Sequence, residues 1–401
     1  MRLLWVKVGG LWPINAGGRI RTFHILSEIS RRHQVTLITT HGLGEDPRRL
    51  VAALPRCEVV SYPWVLAKRG GGRFALALLR SWLSPLPVDL YKTRVPALRR
   101  EVARRLTAGG IDLVVADFLA AVPNAPLDGE VPTVLFAHNV EHVIWQRLSD
   151  VEPRGWRRVL LGLEARKMLR YEAQACRRAD LTIAVSDTDR RLLAAVADGA
   201  RIRAVPTGVD LTYFTPDGLR ETPGRIVFTG AMDWYPNEDG MAHFIETILP
   251  LVRRDVPSAT LAIVGRDPSR RLREVAAAFD VRVTGFVDDV RPHMMEAEVY
   301  VVPLRVGGGT RLKIFEALAM GKAVVSTAVG AEGLPLVSGE HFLRADDPAE
   351  FARAVASLLR DRNRRRALGA AGRRLVEERY SWAQVAGDFD NMCEEVLTHA
   401  R

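Results

Sequence analysis

Residues 307–316, GGGTRLKIFE, set three consecutive glycines ahead of a threonine, two cations and a carboxylate. Gly307, Gly308 and Gly309 leave three successive peptide units without a Cβ, so a ligand can approach the main chain. Thr310 suits a helix N-cap, Arg311, Leu312 and Lys313 follow as the first turn, and Gly321 stands where a glycine closes a helix. Free N–H groups, a positive helix end and two cations converge there, and phosphate oxygens are what such a spot serves. Glu316 follows after about two turns, roughly 9 Å beyond Thr310 at a rise of about 1.5 Å per residue. That is the reach from a diphosphate to a ribose, whose two hydroxyls can donate to a carboxylate. The chemistry read here is nucleotide binding. Taken one by one these residues are common, since glycine loops often follow parallel strands and a helical Glu is ordinarily solvated.

The elements that must position this stretch are parallel strands. Apolar β-favouring runs lie at 2–8, 34–39, 57–62, 111–116, 132–137 and 181–185, with helical segments between most of them. A second series lies at 225–230, 260–265, 281–285, 299–303 and 323–327, nearly every run ending in Gly or Pro. Such alternation predicts α/β architecture, parallel sheets covered on both faces, once in each half of the chain. The halves meet at Val205–Asp210, VPTGVD, where Pro and Gly mark a turn. The expected domains are 1–206 and 207–380, with 381–401 as a C-terminal helix carrying Trp382, Val385, Phe389, Met392 and Val396 on one face. In the first half a helix over 19–32 packs Ile20, Phe23, Leu26 and Ile29 inward. It opens at Gly17-Gly18 after the first strand, where anions dock, with Arg19 and Arg21 beside it. His138, Asn139 and Glu141 follow the 132–137 strand, at the carboxyl end where active residues of such sheets lie. A helix over 158–178 reads as a surface helix or part of an acceptor wall.

At these residues the chain resembles a known family. GGGTRLKIFEALAMGKAVVST with the following GAEGL is similar to the donor-nucleotide motif of retaining, two-domain GT-B glycosyltransferases of family 4. FTGAMDWYPNEDG, LAIVGR, VTGFVDDVRP and PTGVD resemble that family's second domain in order and spacing. The resemblance implies two Rossmann-like domains facing across a cleft, the first for acceptor and the second for a nucleotide-sugar donor, with the C-terminal helix crossing back to the first. It implies sugar transfer to an acceptor hydroxyl with retention, and no metal or cofactor. It places the base at Gly285-Phe286-Val287 and the donor motif at Gly308, Gly309, Thr310, Leu312 and Glu316. It gives Gly17-Gly18, similar to the family's first glycine loop, a phosphate or acceptor role. Gly230, at its strand end, lets a loop run close to the donor. His138, in HNVEH, resembles a cleft-lining segment and is expected to contact the donor sugar or reaction centre. Two departures stand out. Gly308 occupies the place of the family's first motif Glu, and Ala231-Met232-Asp233 and Asn237 stand where the family commonly carries Arg and Lys. Arg311 and Lys313 are expected to replace those cations and stabilise the leaving phosphate.

Composition bounds the remaining classes. Apolar residues at 48% and charged ones at 26% exclude a disordered chain and suit a folded enzyme. Cys57, Cys176 and Cys393 are scattered, giving neither metal spacing nor a disulfide framework, so a reducing, cytoplasmic setting is expected. No apolar run approaches the roughly 18 residues of a membrane helix, which leaves a soluble or peripheral protein. The net charge is +10, and ten Lys and Arg fall between Trp64 and Leu106 against Asp89 and Glu101 alone. Trp64, Phe74 and Trp82 are interleaved with them, which suits an anionic membrane surface. A solvated arginine-rich face is the plain alternative, and nucleic acid lacks a motif to support it. The expected partners are a nucleotide-sugar and a glycan or lipid-linked acceptor. A GT-B sugar-nucleotide epimerase and a non-catalytic subunit are the rival readings.

Overall fold

The computed structural model describes the chain except residues 15–16, 66–71, 154, 217, 219–220, 307–311 and 400–401. It divides into two compact units, residues 1–206 with 385–401, and residues 207–384.

The first unit is a seven-stranded sheet in the order β3-β2-β1-β4-β5-β6-β7. Its strands are β1 (Arg2–Lys7), β2 (Gln34–His41), β3 (Cys57–Pro63), β4 (Leu113–Asp117), β5 (Thr133–Ala137), β6 (Leu181–Ala184) and β7 (Ile202–Ala204). All pairings are parallel. β4, β5 and β6 are buried along their whole length, as strands covered by helices on both faces must be, which is why their sequences are largely apolar rather than alternating. β7 carries no such signal, because a short edge strand buries little and its centre is Arg203.

The first helix, Gly17–Ile29, turns a different face inward from the one its apolar spacing predicts. Phe23 is only half-buried, whereas Arg21 and Thr22 are buried with Ile25, Leu26 and Ile29. Rotation by about one residue brings those two polar groups under the sheet edge. The 155–178 helix is preceded by another, Glu141–Val151, whose N-terminus is closed by Glu172, accepting from the N–H of Glu141 at 2.8 Å and of His142 at 3.0 Å. The C-terminal helix, Trp382–His399, sets Phe389 against Trp5 at 5.5 Å and Phe136 at 4.9 Å. Asp390 on that helix pairs with Arg32 at 2.6 Å and His33 at 2.7 Å, at the amino edge of the sheet.

The second unit is a six-stranded parallel sheet in the order β10-β9-β8-β11-β12-β13. Its strands are β8 (Arg225–Thr229), β9 (Thr260–Val264), β10 (Arg282–Val283), β11 (Val299–Val302), β12 (Ala323–Ser326) and β13 (Leu343–Arg344). β10 is shorter than its apolar run suggests. The helix Leu312–Ala319 buries Ile314, Phe315, Ala317, Leu318 and Ala319 in the core beside β12. It ends in a Schellman arrangement: Lys322 N–H donates to Ala317 and Gly321 N–H to Leu318, with Gly321 at φ +65°.

Candidate active site

In each unit the strand order reverses at one place, between β1 and β4 and between β8 and β11. Connections leave these neighbours in opposite directions, so a crevice opens beyond their carboxyl ends.

In the first unit that edge holds a buried charge network. Lys7 and Asp117 end β1 and β4 and stand opposite each other in register. Asp117 Oδ2 accepts from Trp5 Nε1 at 2.9 Å, Thr22 Oγ1 at 2.7 Å and Lys7 Nζ at 3.2 Å. Its Oδ1 lies 2.7 Å from His138 Nε2, close but out of hydrogen-bond alignment. Arg21 Nη1 meets His138 Nδ1 at 3.2 Å. A guanidinium only donates, so Nδ1 accepts, the imidazole is neutral and its proton is on Nε2, toward the acid. Burial works to raise the Asp117 carboxyl, but Lys7, His138 and Trp5 together hold it well below the carboxylate range. Burial, against the pull of Asp117, drives His138 down to about 3. Phe118 follows at φ +69°, a conformation that L residues rarely adopt, and stacks on His138 with ring centres 3.8 Å apart. Lys7 Nζ stands 4.2 Å over the same ring.

The structure encloses His138, which the sequence places as a catalytic group facing the donor. Its side chain is 1% exposed, walled by Phe118 and Phe136, and both nitrogens face Arg21 or Asp117. Gly18 also has a packing reason, since a Cβ there would fall 2.3 Å from the Phe118 ring. Gly17 is exposed at the helix start. Arg19 Nη1 is spent on the carbonyls of Trp12 and Pro13. Glu141 is half-buried beside Asn139, and burial, with Glu172 and Asp89 adding to it, pushes its carboxyl up to about 7.

In the second unit, Gly308, Gly309, Thr310 and Arg311 lie outside the described residues. Lys313, in the first turn of its helix, extends to Asn237 Oδ1 at 2.8 Å, with Nζ 4.1 Å over the Phe228 ring. Gly230, just after β8, lies directly beneath, and a Cβ on it would fall 2.6 Å from that Nζ. Gly265 after β9 packs backbone to backbone, since its Cβ would sit 1.8 Å from the Gly230 oxygen. Glu316 is half-buried one turn past Lys313. Burial pushes its carboxyl up to about 7 against the pull of Lys313, and no hydrogen-bond donor reaches it among the described residues. Leu312 is half-buried beside them. Beyond β10, Gly285 at φ +72° turns the chain so that Phe286 is 72% exposed while Val287 packs on the core.

The structure thus brings Gly230, Lys313 and Asn237 together at one sheet edge, with Glu316 on the same helix as Lys313. Sequence reasoning missed Asp117, Lys7 and Glu172. A lone Asp closing the apolar run LVVA was the available signal for the first. It also missed two ion pairs on the second edge, Arg266 with Asp233 at 3.3 Å and Arg305 with Asp239 at 2.6 Å.

Two parallel Rossmann-like sheets, each with a built switch-point edge, define the GT-B class. Residues 16–213 match the family described as Glycosyltransferase Family 4, and residues 223–361 match Glycosyl transferases group 1. The chain belongs to this family of glycosyltransferases. It is 32% identical over 224 residues to phosphatidyl-myo-inositol mannosyltransferase of Mycolicibacterium smegmatis, covering 53% of this chain and 57% of that protein. It is 31% identical over 232 residues to the GDP-mannose-dependent alpha-(1-6)-phosphatidylinositol monomannoside mannosyltransferase of Mycobacterium tuberculosis, covering 51% and 59%. The matches therefore span less than two thirds of these relatives. Among solved structures, sucrose-phosphate synthase from Thermosynechococcus elongatus shares the fold at TM-score 0.71 and 17% identity, with both chains fully covered. Anabaena HepE in complex with UDP does so at TM-score 0.68 and 14% identity, covering 98% of this chain and all of that one.

Proposed function

We propose that this chain transfers a sugar from a nucleotide-sugar donor to an acceptor hydroxyl with retention of configuration, the second unit holding the donor and the first the acceptor. The observation that carries this reading is the edge of the second sheet. A lysine ammonium there is fixed beside a glycine at the switch point, and one turn further on lies a carboxylate that no hydrogen-bond donor reaches among the described residues. Cations at that place favour the charge that collects on the departing diphosphate as the glycosidic bond breaks. The departing phosphate can itself take the acceptor's proton, so no protein base is required of the first unit, in keeping with the enclosed His138. The named substrates of the mannosyltransferase relatives make GDP-mannose the first donor to test and an inositol phospholipid the first acceptor.

The donor half is tested at Glu316. Only its ionised form accepts both ribose hydroxyls, so nucleotide affinity should rise as pH passes upward through about 7. Glu316→Gln should weaken GDP or UDP binding by ~1.5–3 kcal/mol and abolish that pH dependence. The sign for stability is opposite. A raised carboxyl makes the folded unit hold its proton more tightly, so stability is full at low pH and declines between about 4.5 and 7. The Gln variant should therefore melt above wild type at pH 8 and level with it at pH 4. Calorimetry showing unchanged nucleotide affinity in a folded variant would remove Glu316 from the site.

We further propose that the first unit meets an anionic bilayer. Trp64 is half-buried against the core, which removes it from any inserting set, and Phe74 has no described side chain. Trp82 is exposed, at the end of the helix Gly72–Trp82, with Leu76 and Leu79 on the same face and Leu83 just beyond. Trp156, Val159 and Leu163 line an exposed face of the 155–178 helix, and Lys167 on that helix donates to the Ser81 carbonyl at 2.7 Å. Two apolar faces thus belong to adjoining helices, with Arg80, Arg157, Arg158 and Arg166 exposed among them. Each engaged cation contributes about 1 kcal/mol at an anionic surface. Lys92, Arg104 and Arg105 are already paired with Asp89, Glu101 and Glu58, so the anchor draws on fewer charges than the sequence counts. Among the described residues no helix is long and apolar enough to cross a membrane. Co-sedimentation should show binding to anionic but not neutral liposomes, weakened by salt and by Trp82→Glu with Trp156→Glu. Binding indifferent to salt and to both changes would defeat the proposal.

A further inference from the structure

We propose that Asn237 is a positioning residue for the donor phosphate, acting through Lys313; this rests on the donor reading above. Asn237 lies in the first turn of the helix Tyr235–His243, which follows β8, and Lys313 in the first turn of the helix after β11. β8 and β11 are neighbours, so the two helix starts meet at the switch point. Asn237 is 3% exposed, and its amide orientation is fixed from one side. Nδ2 donates to the Ala231 carbonyl at 2.8 Å, which turns Oδ1 toward Lys313 Nζ at 2.8 Å. The Phe228 ring lies 4.1 Å from the same ammonium, and Gly230 leaves the space that it fills. A lysine is a flexible stem with a point charge, and held this way it has one address. The holder is neutral. An amide oxygen aims the ammonium without cancelling its charge, whereas a carboxylate in the same place would neutralise the cation that a phosphate needs. Asn237 therefore contributes placement rather than contact.

The test is a double-mutant cycle read by calorimetry on the full chain, with GDP, UDP and inorganic pyrophosphate as probes. Lys313→Met should weaken binding of the better nucleotide at least tenfold. Asn237→Ala should weaken it three- to tenfold in the wild-type background and less than 1.5-fold in the Lys313→Met background. A residue with only a structural role would weaken binding equally in both. Exchanging the pair, Asn237→Lys with Lys313→Asn, puts an ammonium back at the same meeting point and should recover affinity lost by Lys313→Met. If the alanine variant does not fold, Asn237→Ser completes the cycle. Unchanged affinity in Lys313→Met overturns the donor reading at this edge. Loss in Lys313→Met with no loss, or equal loss, for the Asn237 change overturns the positioning role alone.

Discussion

Lys313→Ala will lower turnover by about a hundredfold or more while leaving the melting temperature close to wild type. Loss of one preorganised charge that stabilises a developing anion typically costs ~2.7–4 kcal/mol in the transition state. The ammonium stands beside Gly230 and Asn237, at the switch-point edge of the second sheet, so its removal opens no core cavity. Arg311→Ala is expected to act in the same direction, on the ground of its place in the sequence two residues earlier. Steady-state rates beside melting curves check both. Wild-type rates in both variants would move the diphosphate elsewhere on the chain.

Asp117→Ala will cost the first unit ~3–5 kcal/mol, because it leaves Lys7 as a buried charge without its counter-ion. Trp5 Nε1 and Thr22 Oγ1 lose their acceptor at the same time. Against a total stability of about 5–15 kcal/mol this is enough to unfold much of the unit at moderate temperature. Acid should act on the same network. The folded unit keeps His138 neutral down to about 3, while an unfolded chain takes up a proton near 6.5, so this group's contribution falls as pH falls through that window. Glu141 has the opposite sign between about 7 and 4.5, because its raised carboxyl gains a proton on folding. The His138 effect is therefore read as the difference between wild type and His138→Gln, whose melting temperatures should converge as pH drops from 6.5 toward 4. A parallel pH response in the two proteins would contradict the neutral buried imidazole.

What could be read from the sequence follows from what periodicity encodes. Strands buried on both faces, such as β4, β5 and β11, announce themselves as apolar runs, and their alternation with helices gives the doubly wound sheets. β7 and β13 do not, being short pieces with little to bury. The glycines were legible as close approaches but not as to what approaches. Gly18 makes room for Phe118 and Gly265 for the Gly230 backbone, both protein rather than ligand. His138 was found at the right strand end, yet no local pattern shows that Asp117, Lys7 and Arg21 converge on it from three other elements. Asn237 was visible only as a missing lysine. Its partnership with a residue 76 positions on needs the β8–β11 pairing to be seen.

The central claim is retaining transfer from a nucleotide-sugar, and the most direct measurement is the product itself. The purified chain would be incubated with labelled GDP-mannose, and in parallel with labelled UDP-sugars, in the presence of inositol phospholipid and of a total lipid extract. The account predicts label in the lipid fraction, dependent on Lys313, with the new glycosidic bond shown by NMR in the same α configuration as the donor. An inverted linkage would contradict the mechanism. Conversion of the donor sugar without transfer would point to an epimerase, and nucleotide binding without turnover under every donor and acceptor would leave a non-catalytic subunit in its place.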